Sequence, residues 1–275
     1  MKKERIDVLL VQQGLFESGE QAKRAVMAGE ILGENEERLD KPGMKIDPEI
    51  HLHFKGTKMP YVSRGGLKLA KALKVFKINL RDRTVLDIGS STGGFTDVAL
   101  QNHARLSYAL DVGTNQLVWK LRQDERVVVM ENTNFRYSKL ADFTKGQPNF
   151  ASIDVSFISL RLILPTLHEI LQTGQDVVAL IKPQFEAGRE KVGKHGIVRE
   201  EQTHLEVLND VLGFALENGY DVSGLDFSPI TGGSGNIEFI AHLVACPAGQ
   251  KGQNLLKVTP EVVVKQAHQT LLQQS

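Results

Sequence analysis

From Tyr61 onward, near-continuous apolar runs alternate with helical patterns, and this alternation constrains the fold more than any other feature of the chain. The runs are "TVLDIG", "LSYALDV", "VVVMEN", "FASIDVSF", "DVVALIKP" and "IEFIAHLVA", and helical periodicity lies between most of them, as in "LEVLNDVLGFALENG". Strands apolar on both faces belong in a sheet covered by helices on both sides, and strand–helix alternation makes that sheet mainly parallel. The first 60 residues follow another pattern. Ile6, Leu9 and Leu10 fall on one helical face, and Gly14 can close that helix. Ser18 and Gln21 make a capping-box signature for a second helix. That helix carries Ala22, Ala25 and Val26 on one face, with Lys23 and Arg24 turned away, and Gly29 ends it. A short strand near Ile31, turns at "GENEE" and "DKPGMK", and a strand "EIHLHF" complete a small α+β domain. Ser63 is expected to cap a helix carrying Leu69, Ala72, Leu73 and Phe76, and "TPE" at 259–261 should open a C-terminal helix with proline at its first position. The expected organisation is a small domain at 1–60, a linker at 61–66, an α/β domain at 67–246, and a C-terminal tail with a helix at 247–275.

Composition narrows the class. With 275 residues and 41% apolar content the chain can bury a sizeable core, as one large or two unequal domains. A single cysteine, Cys246, excludes an internal disulfide framework and fits a reducing compartment. The stretch "MKKERIDVLLVQQG" has Asp7 inside its apolar run and no cleavage site, and no run approaches the ~18 apolar residues that span a bilayer. A soluble cytoplasmic protein that does not enter membranes is expected, and no feature specifies self-association. His168, His195 and His204 lack metal-ligand spacing, so no metal is assigned. Trp119 reads as packing on a helix; Phe157 and Phe185 lie beside site candidates, with core packing the leading reading and contact with a base or adenine the alternative.

The run "DIGSSTGGFTD" follows an apolar strand, at the carboxyl end where ligands sit in open parallel sheets. Gly89, Gly93 and Gly94 allow close backbone approach. Their G-x-x-x-G-G spacing differs from the dinucleotide fingerprint G-x-G-x-x-G, and no lysine follows Gly94 as a triphosphate-binding loop would need. Asp111 ends the next strand, in place for ribose hydroxyls. Asp87 before the turn and Asp111 after the next strand make the pattern that S-adenosylmethionine-dependent methyltransferases show. The alternative is a tight strand–helix turn without a ligand.

Charged residues interrupt or end three apolar strands: Asp154, Lys182 and Glu238. Such charges are costly unless paired or functional. Lys68 lies near the start of the helix preceding the glycine turn. Glu238 reaches the same sheet edge as the other two only if its strand runs antiparallel. Two lysines and two carboxylates suit methylation of a ribose 2′-hydroxyl. Lys182 would take its proton or stabilise the alkoxide, Asp154 and Glu238 would orient Lys182, and Lys68 would hold the hydroxyl or the adjoining phosphate. A structural ion-pair cluster is the competing explanation.

Taken together these stretches resemble the TlyA family of bacterial ribosomal RNA 2′-O-methyltransferases, often called hemolysins. "YVSRGGLKL", "DIGSSTGGFTD", "ALDVGTNQL", "IDVSFISL", "LIKPQFE", "GIVRE" and "SPITGGSGNIEF" resemble FtsJ-like methyltransferases. "ESGEQAKRAVMAGEI" and "KPGMKI" resemble the small alpha-L RNA-binding domain. The resemblance implies a Rossmann-like class I methyltransferase sheet, mainly parallel with an antiparallel edge strand. It implies a catalytic tetrad of Lys68, Asp154, Lys182 and Glu238, with S-adenosylmethionine held around Asp87, Gly89, Ser91, Gly93, Gly94, Phe95, Asp111 and Val112. It implies ribosomal RNA or a ribosomal subunit as partner, and a cytidine of 23S rRNA as target. Where some relatives carry an Arg-x-Trp-Val-like linker, this chain reads "KMPYV".

The charge distribution agrees with a polyanionic partner. The chain balances 33 Lys+Arg against 33 Asp+Glu, yet residues 55–83 hold nine basic residues and one acid, Asp82. Lys55, Lys58, Arg64, Lys71 and Lys74 are the expected RNA contacts there, joined by Lys23 and Arg24. Lys68, Lys71, Lys74 and Lys77 recur every third residue and should line one slowly turning helix face. "GREKVGKHGIVR" reads as a loop that clamps RNA. A solvated lysine face is the alternative. The competing functions are a methyltransferase for small molecules or protein, a non-catalytic RNA-binding assembly protein with a degenerate site, and a cytolysin.

Overall fold

The computed structural model describes residues 3–16, 18–55 and 59–271. The chain divides into two compact units, Met1–Pro60 and Tyr61–Ser275. In the first, β1 (Glu4–Arg5) leads into α1 (Ile6–Gln12), followed by α2 (Gly19–Met27), β2 (Ile31–Leu32), β3 (Lys45–Ile46) and β4 (His53–Phe54). β1 pairs antiparallel with β3, and β2 with β4. Ser18 caps α2 by accepting from the Gln21 N–H at 3.3 Å. Gly14 and Gly29 close the two helices with φ of 72° and 69°. Ile6, Leu9, Leu10, Ala22, Val26 and Ile31 form the core of this unit.

The second unit opens with α3 (Gly66–Val75), then β5 (Thr84–Ile88), α4 (Gly94–Gln101), β6 (Leu106–Leu110), α5 (Trp119–Arg122), β7 (Val127–Met130) and β8 (Phe150–Ile153). It continues through α6 (Leu164–Ile170), β9 (Asp176–Ile181), α7 (Pro183–Glu186), α8 (Glu201–Glu217), β10 (Tyr220–Phe227), β11 (Phe239–Ala245) and α9 (Pro260–Leu271). Seven strands make one sheet in the order β10-β11-β9-β8-β5-β6-β7. The pairs from β9 to β7 are parallel, and β11 runs antiparallel to both of its neighbours. β10, outermost beside β11, is a strand that the apolar runs do not mark: "YDVSGLDF" carries two aspartates and a glycine.

Every residue of β5, β6 and β8 is buried, as strands covered on both faces require. One face packs on α6, α8 and α9 through residues such as Leu167, Leu208 and Val264. The other packs on α3 and α4 through Leu69, Leu73 and Val98. α9 therefore belongs to the core of the second unit. Ser63 does not cap α3: the helix starts after Gly65 without a side-chain cap.

Strand order reverses at β5, flanked by β6 and β8, and a crevice opens beyond the carboxyl ends of such strands. The antiparallel course of β11 matters there. Phe239 pairs with Ile181, so Glu238 before it and Lys182 after Ile181 reach the same edge of the sheet.

Candidate active site

Two glycines allow three chain segments to meet at this crevice. Gly89, at φ 86°, sits where a Cβ would come 2.5 Å from the Asp154 carbonyl oxygen. A Cβ on Gly94 would come 2.3 Å from Ser63 Oγ and 2.9 Å from the Gly66 nitrogen. The loop after β5 thus lies directly against residues 63–66 and the end of β8. The Gly89 and Ser90 N–H groups both donate to the Leu110 carbonyl, fixing the loop to β6.

The crevice holds two adjoining lobes of about 500 and 300 Å³, which share Gly89, Ser91, Asp154, Ser156 and Phe157. On the floor of the larger lobe, Lys68 Nζ lies 2.6 Å from Glu238 Oε2 and 3.9 Å from Asp154 Oδ2. Lys182 Nζ lies 2.5 Å from Asp154 Oδ1 and 3.2 Å from Ser156 Oγ. Asp154 therefore bridges the two lysines, and the cluster is charge-balanced. Glu238 is 2% exposed, Lys68 7% and Lys182 8%. Replacing such buried ion pairs by apolar residues is often neutral or stabilising, so stability alone is a weak explanation for this cluster.

The smaller lobe is lined by Asp111, Val112, Gln116, Thr133 and Asn134. The Asp111 carboxylate accepts from the N–H groups of Ser91 at 2.8 Å and Gly113 at 2.7 Å, which orients it toward the lobe. Gly94 and Phe95 line the larger lobe. Two other expected cofactor residues lie outside both. Asp87 is fully buried and accepts from Thr96 Oγ1 at 2.8 Å and Ser152 Oγ at 3.2 Å. Burial pushes its carboxyl up to about 7. Gly93, at φ 99°, has Leu117 and Leu121 where a side chain would go. These two residues shape the turn from behind.

The lining fits a nucleoside-bearing cofactor. Ser90 Oγ and Gln184 Oε1 are buried without a partner, and both residues line the larger lobe. Such orphaned polar atoms are rare unless a ligand or water satisfies them. No group of three or more His, Cys, Asp or Glu among the described residues can hold a metal ion.

Several site residues carry no clear sequence signal. Phe157 is 91% exposed and borders both lobes, so it does not pack in the core, contrary to the leading reading of the sequence, and the alternative of a residue facing a ligand stands. Its φ of 64° is strained for a bulky side chain. Phe185 lies beside it, ring centroids 5.0 Å apart. The loop is clamped by Glu186, which accepts from Ser159 Oγ at 2.6 Å and the Leu160 N–H at 2.8 Å. Burial raises the Glu186 pKa. Glu131 anchors residues 115–117 through their backbone N–H groups and pairs with Arg122. The Arg122 hydrogen bond, with those amides, holds its carboxyl down at about 2. Trp119, also read as packing, is 70% exposed.

The basic band divides. Lys23, Arg24, Lys55, Arg64 and Lys74 are exposed, with Arg24 paired to Glu20 at 2.6 Å; Lys58 lies outside the described residues. Lys71 departs from the expected open face. Its ammonium lies 2.9 Å from Asp226 Oδ1, donates to the Phe227 carbonyl and sits over the Phe227 ring. Lys68 turns into the larger lobe, so the every-third spacing does not form one solvent-facing row. In "GREKVGKHGIVR", Lys191 pairs with Glu206 at 2.5 Å, and His195 and Gly196 line the larger lobe.

A mainly parallel sheet with one antiparallel strand, a glycine cradle at its switch point and a Lys/Asp/Lys/Glu floor define an α/β group-transfer enzyme of the methyltransferase type. Residues 61–245 match the FtsJ-like methyltransferase family, and the chain belongs to that family. It is 63% identical over 270 residues to "Putative rRNA methyltransferase YqxC" of Bacillus subtilis, covering 98% of this chain and 96% of that one. It is 38% identical to "16S/23S rRNA (cytidine-2'-O)-methyltransferase TlyA" of Mycobacterium tuberculosis, covering 88% of this chain and 90% of the relative. A solved structure, "Putative hemolysin from Streptococcus thermophilus", superposes with TM-score 0.79 at 59% identity, covering 100% of this chain and 98% of the other.

Proposed function

We propose that this protein uses S-adenosylmethionine to methylate the ribose 2′-hydroxyl of a cytidine in ribosomal RNA, in the 23S molecule. The reading rests on one observation above all: Lys68, Asp154, Lys182 and Glu238 meet within 2.5–3.9 Å beside a lobe carrying an oriented aspartate. The printed names of the relatives support the substrate class. Asp111 would take the ribose hydroxyls of the cofactor, and the loop around Gly89 and Ser91 its amino-acid end. Bound S-adenosylmethionine supplies an electrophilic methyl group on a sulfonium.

The remaining work falls to this chain. As an ammonium, Lys182 Nζ would stabilise the developing alkoxide, and as the neutral amine it would take up the 2′-hydroxyl proton, with Asp154 and Ser156 fixing its direction. Lys68, held by Glu238, faces the same space and would bind the hydroxyl or the adjoining phosphate. Alignment supplies much of the acceleration in such a displacement. Phe157 offers a bare aromatic face at the mouth for the target base, since base stacking tolerates any π-face. In the first unit, Lys23 and Arg24 on α2 would grip RNA phosphates. An enzyme with this substrate works where ribosomes are, in the cytoplasm.

Relatives named for hemolysis, such as "Hemolysin A" of Brachyspira hyodysenteriae at 38% identity, raise the cytolysin alternative. Among the described residues no helix is long and apolar enough to cross a membrane. The test uses methyl-labelled S-adenosylmethionine and ribosomal subunits from a strain lacking the gene. Labelled 2′-O-methylcytidine in digested 23S rRNA is expected. Label in a base or in protein, or none at all, would refute the reading.

A further inference from the structure

Behind the wall that carries Glu238 lies a separate cavity of about 470 Å³. Three chain segments make this wall, and each turns neighbouring residues to opposite sides. Ser63 and Gly65 face the catalytic lobe, while Arg64 between them faces the other cavity. His195 and Gly196 line the catalytic lobe; Ile197 and Arg199 line the other. Asn236 and Glu238 face the catalytic lobe, Gly235 and Ile237 face away, and Ser234 borders both. Asn236 ties the wall together, accepting from the Val198 N–H at 3.0 Å and donating to the Gly196 carbonyl at 2.9 Å. His195 and Ser234 sit at φ 64° and 59°, so both wall loops hold strained backbone beside the site.

The lining is largely aliphatic, interrupted by the buried His268 and by Thr231 and Ser234, and it carries two exposed arginines. Ile197, Ile230, Ile237 and Leu271 supply apolar surface. Arg64 and Arg199 are exposed, and neither has an ion-pair partner among the described residues. Guanidinium groups favour phosphate, and splayed bases of single-stranded RNA enter pockets beside the backbone that carries them. Because Ser234 borders both cavities, an occupant here and a ribose at Lys182 would lie on either side of the same short loop.

We propose that this cavity receives the base of a nucleotide flanking the methylated one, with Arg64 and Arg199 on the phosphates. The inference rests on the ribosomal RNA reading above. Pro229, an exposed residue of the cavity lining, is replaced by p-benzoylphenylalanine, and its photo-crosslink to ribosomal subunits from the gene-deleted strain is mapped by primer extension. In parallel, Arg199→Ala, an exposed position, and Ile230→Trp, which fills the cavity, are assayed for methylation of the same subunits. The crosslink is expected within two nucleotides of the methylated ribose. Both variants should raise KM for the subunit about tenfold while leaving S-adenosylmethionine affinity and Tm unchanged. A crosslink elsewhere, or wild-type KM in both variants while the wild-type protein methylates ribose normally, overturns the cavity assignment alone. Loss of ribose methylation by the wild-type protein itself would bring down the functional reading and this inference with it.

Discussion

The two lobes of the crevice at the sheet edge are built from different materials. The larger lobe takes its chemistry from side chains far apart in the chain; Lys68 and Glu238, in direct contact, are 170 positions apart. The smaller lobe takes its shape from local backbone: a glycine turn and an aspartate oriented by the amides of Ser91 and Gly113. Charge placement in one is a product of sheet topology, and fit in the other a product of turn geometry. Changes in the first should therefore act on the chemical step, and changes in the second on cofactor affinity.

The largest effect expected is that of Lys182→Ala, which should slow single-turnover methyl transfer by about 10²–10⁴-fold. Calorimetry should find S-adenosylmethionine affinity unchanged, and a parallel loss of affinity would blur the division between lobes. Asp111→Ala is the converse. It should weaken cofactor binding by about 10–100-fold, as loss of a charged hydrogen-bond acceptor does, and leave kcat near wild type at saturating cofactor. Phe157→Gly sharpens the contrast at the shared border. Glycine relieves the left-handed backbone, so unfolding free energy should rise by about 1 kcal/mol while KM for RNA increases. A variant both less stable and fully active would contradict the assignment of strain to function.

A smaller effect distinguishes two lysines that share one helix. Lys74→Ala should lower the slope of log K against log salt for RNA binding by about 1 and leave Tm alone. Lys71→Ala should lower Tm and leave the slope alone, because its charge is spent on Asp226. The smallest effect is in pH. Asp87 has a folded pKa of about 7, above its usual 3.8, so the folded state keeps a proton that the unfolded chain releases. Its contribution to stability falls as pH rises from about 4 to 7. Burial instead pushes His204 down to about 4, so its contribution falls as pH drops from about 6.5 to 4. Asp87→Asn should gain stability relative to wild type between pH 5 and pH 8 in urea titrations. A constant difference across that range would show that the carboxyl ionises normally.

The same division explains what the sequence made legible. Asp154, Lys182 and Glu238 stand out because each is a charge set in or beside an apolar strand; the first two follow parallel strands β8 and β9, and Glu238, just before antiparallel β11, arrives at the same edge from the opposite direction. The glycine turn is legible because its spacing is local. Phe157 is legible only as a neighbour of the site, since its exposure depends on Glu186 reaching back to Ser159 and Leu160 from α7. Lys71 misleads because helical spacing says nothing of what packs above it, and β10 lacks the continuous apolar run that marks its neighbours. Ser63 resembles a cap by residue type alone, whereas the contact with Gly94 uses it as part of the cavity wall.

The central claim is that Lys68, Asp154, Lys182 and Glu238 act as one unit. Single-turnover rates for Lys182→Ala, Glu238→Gln and the double variant, measured on gene-deleted ribosomal subunits, test it most directly. If the four groups work together, the double variant is no more than a few-fold slower than the slower single variant. Fully multiplicative losses, or wild-type turnover by Lys182→Ala, would contradict it.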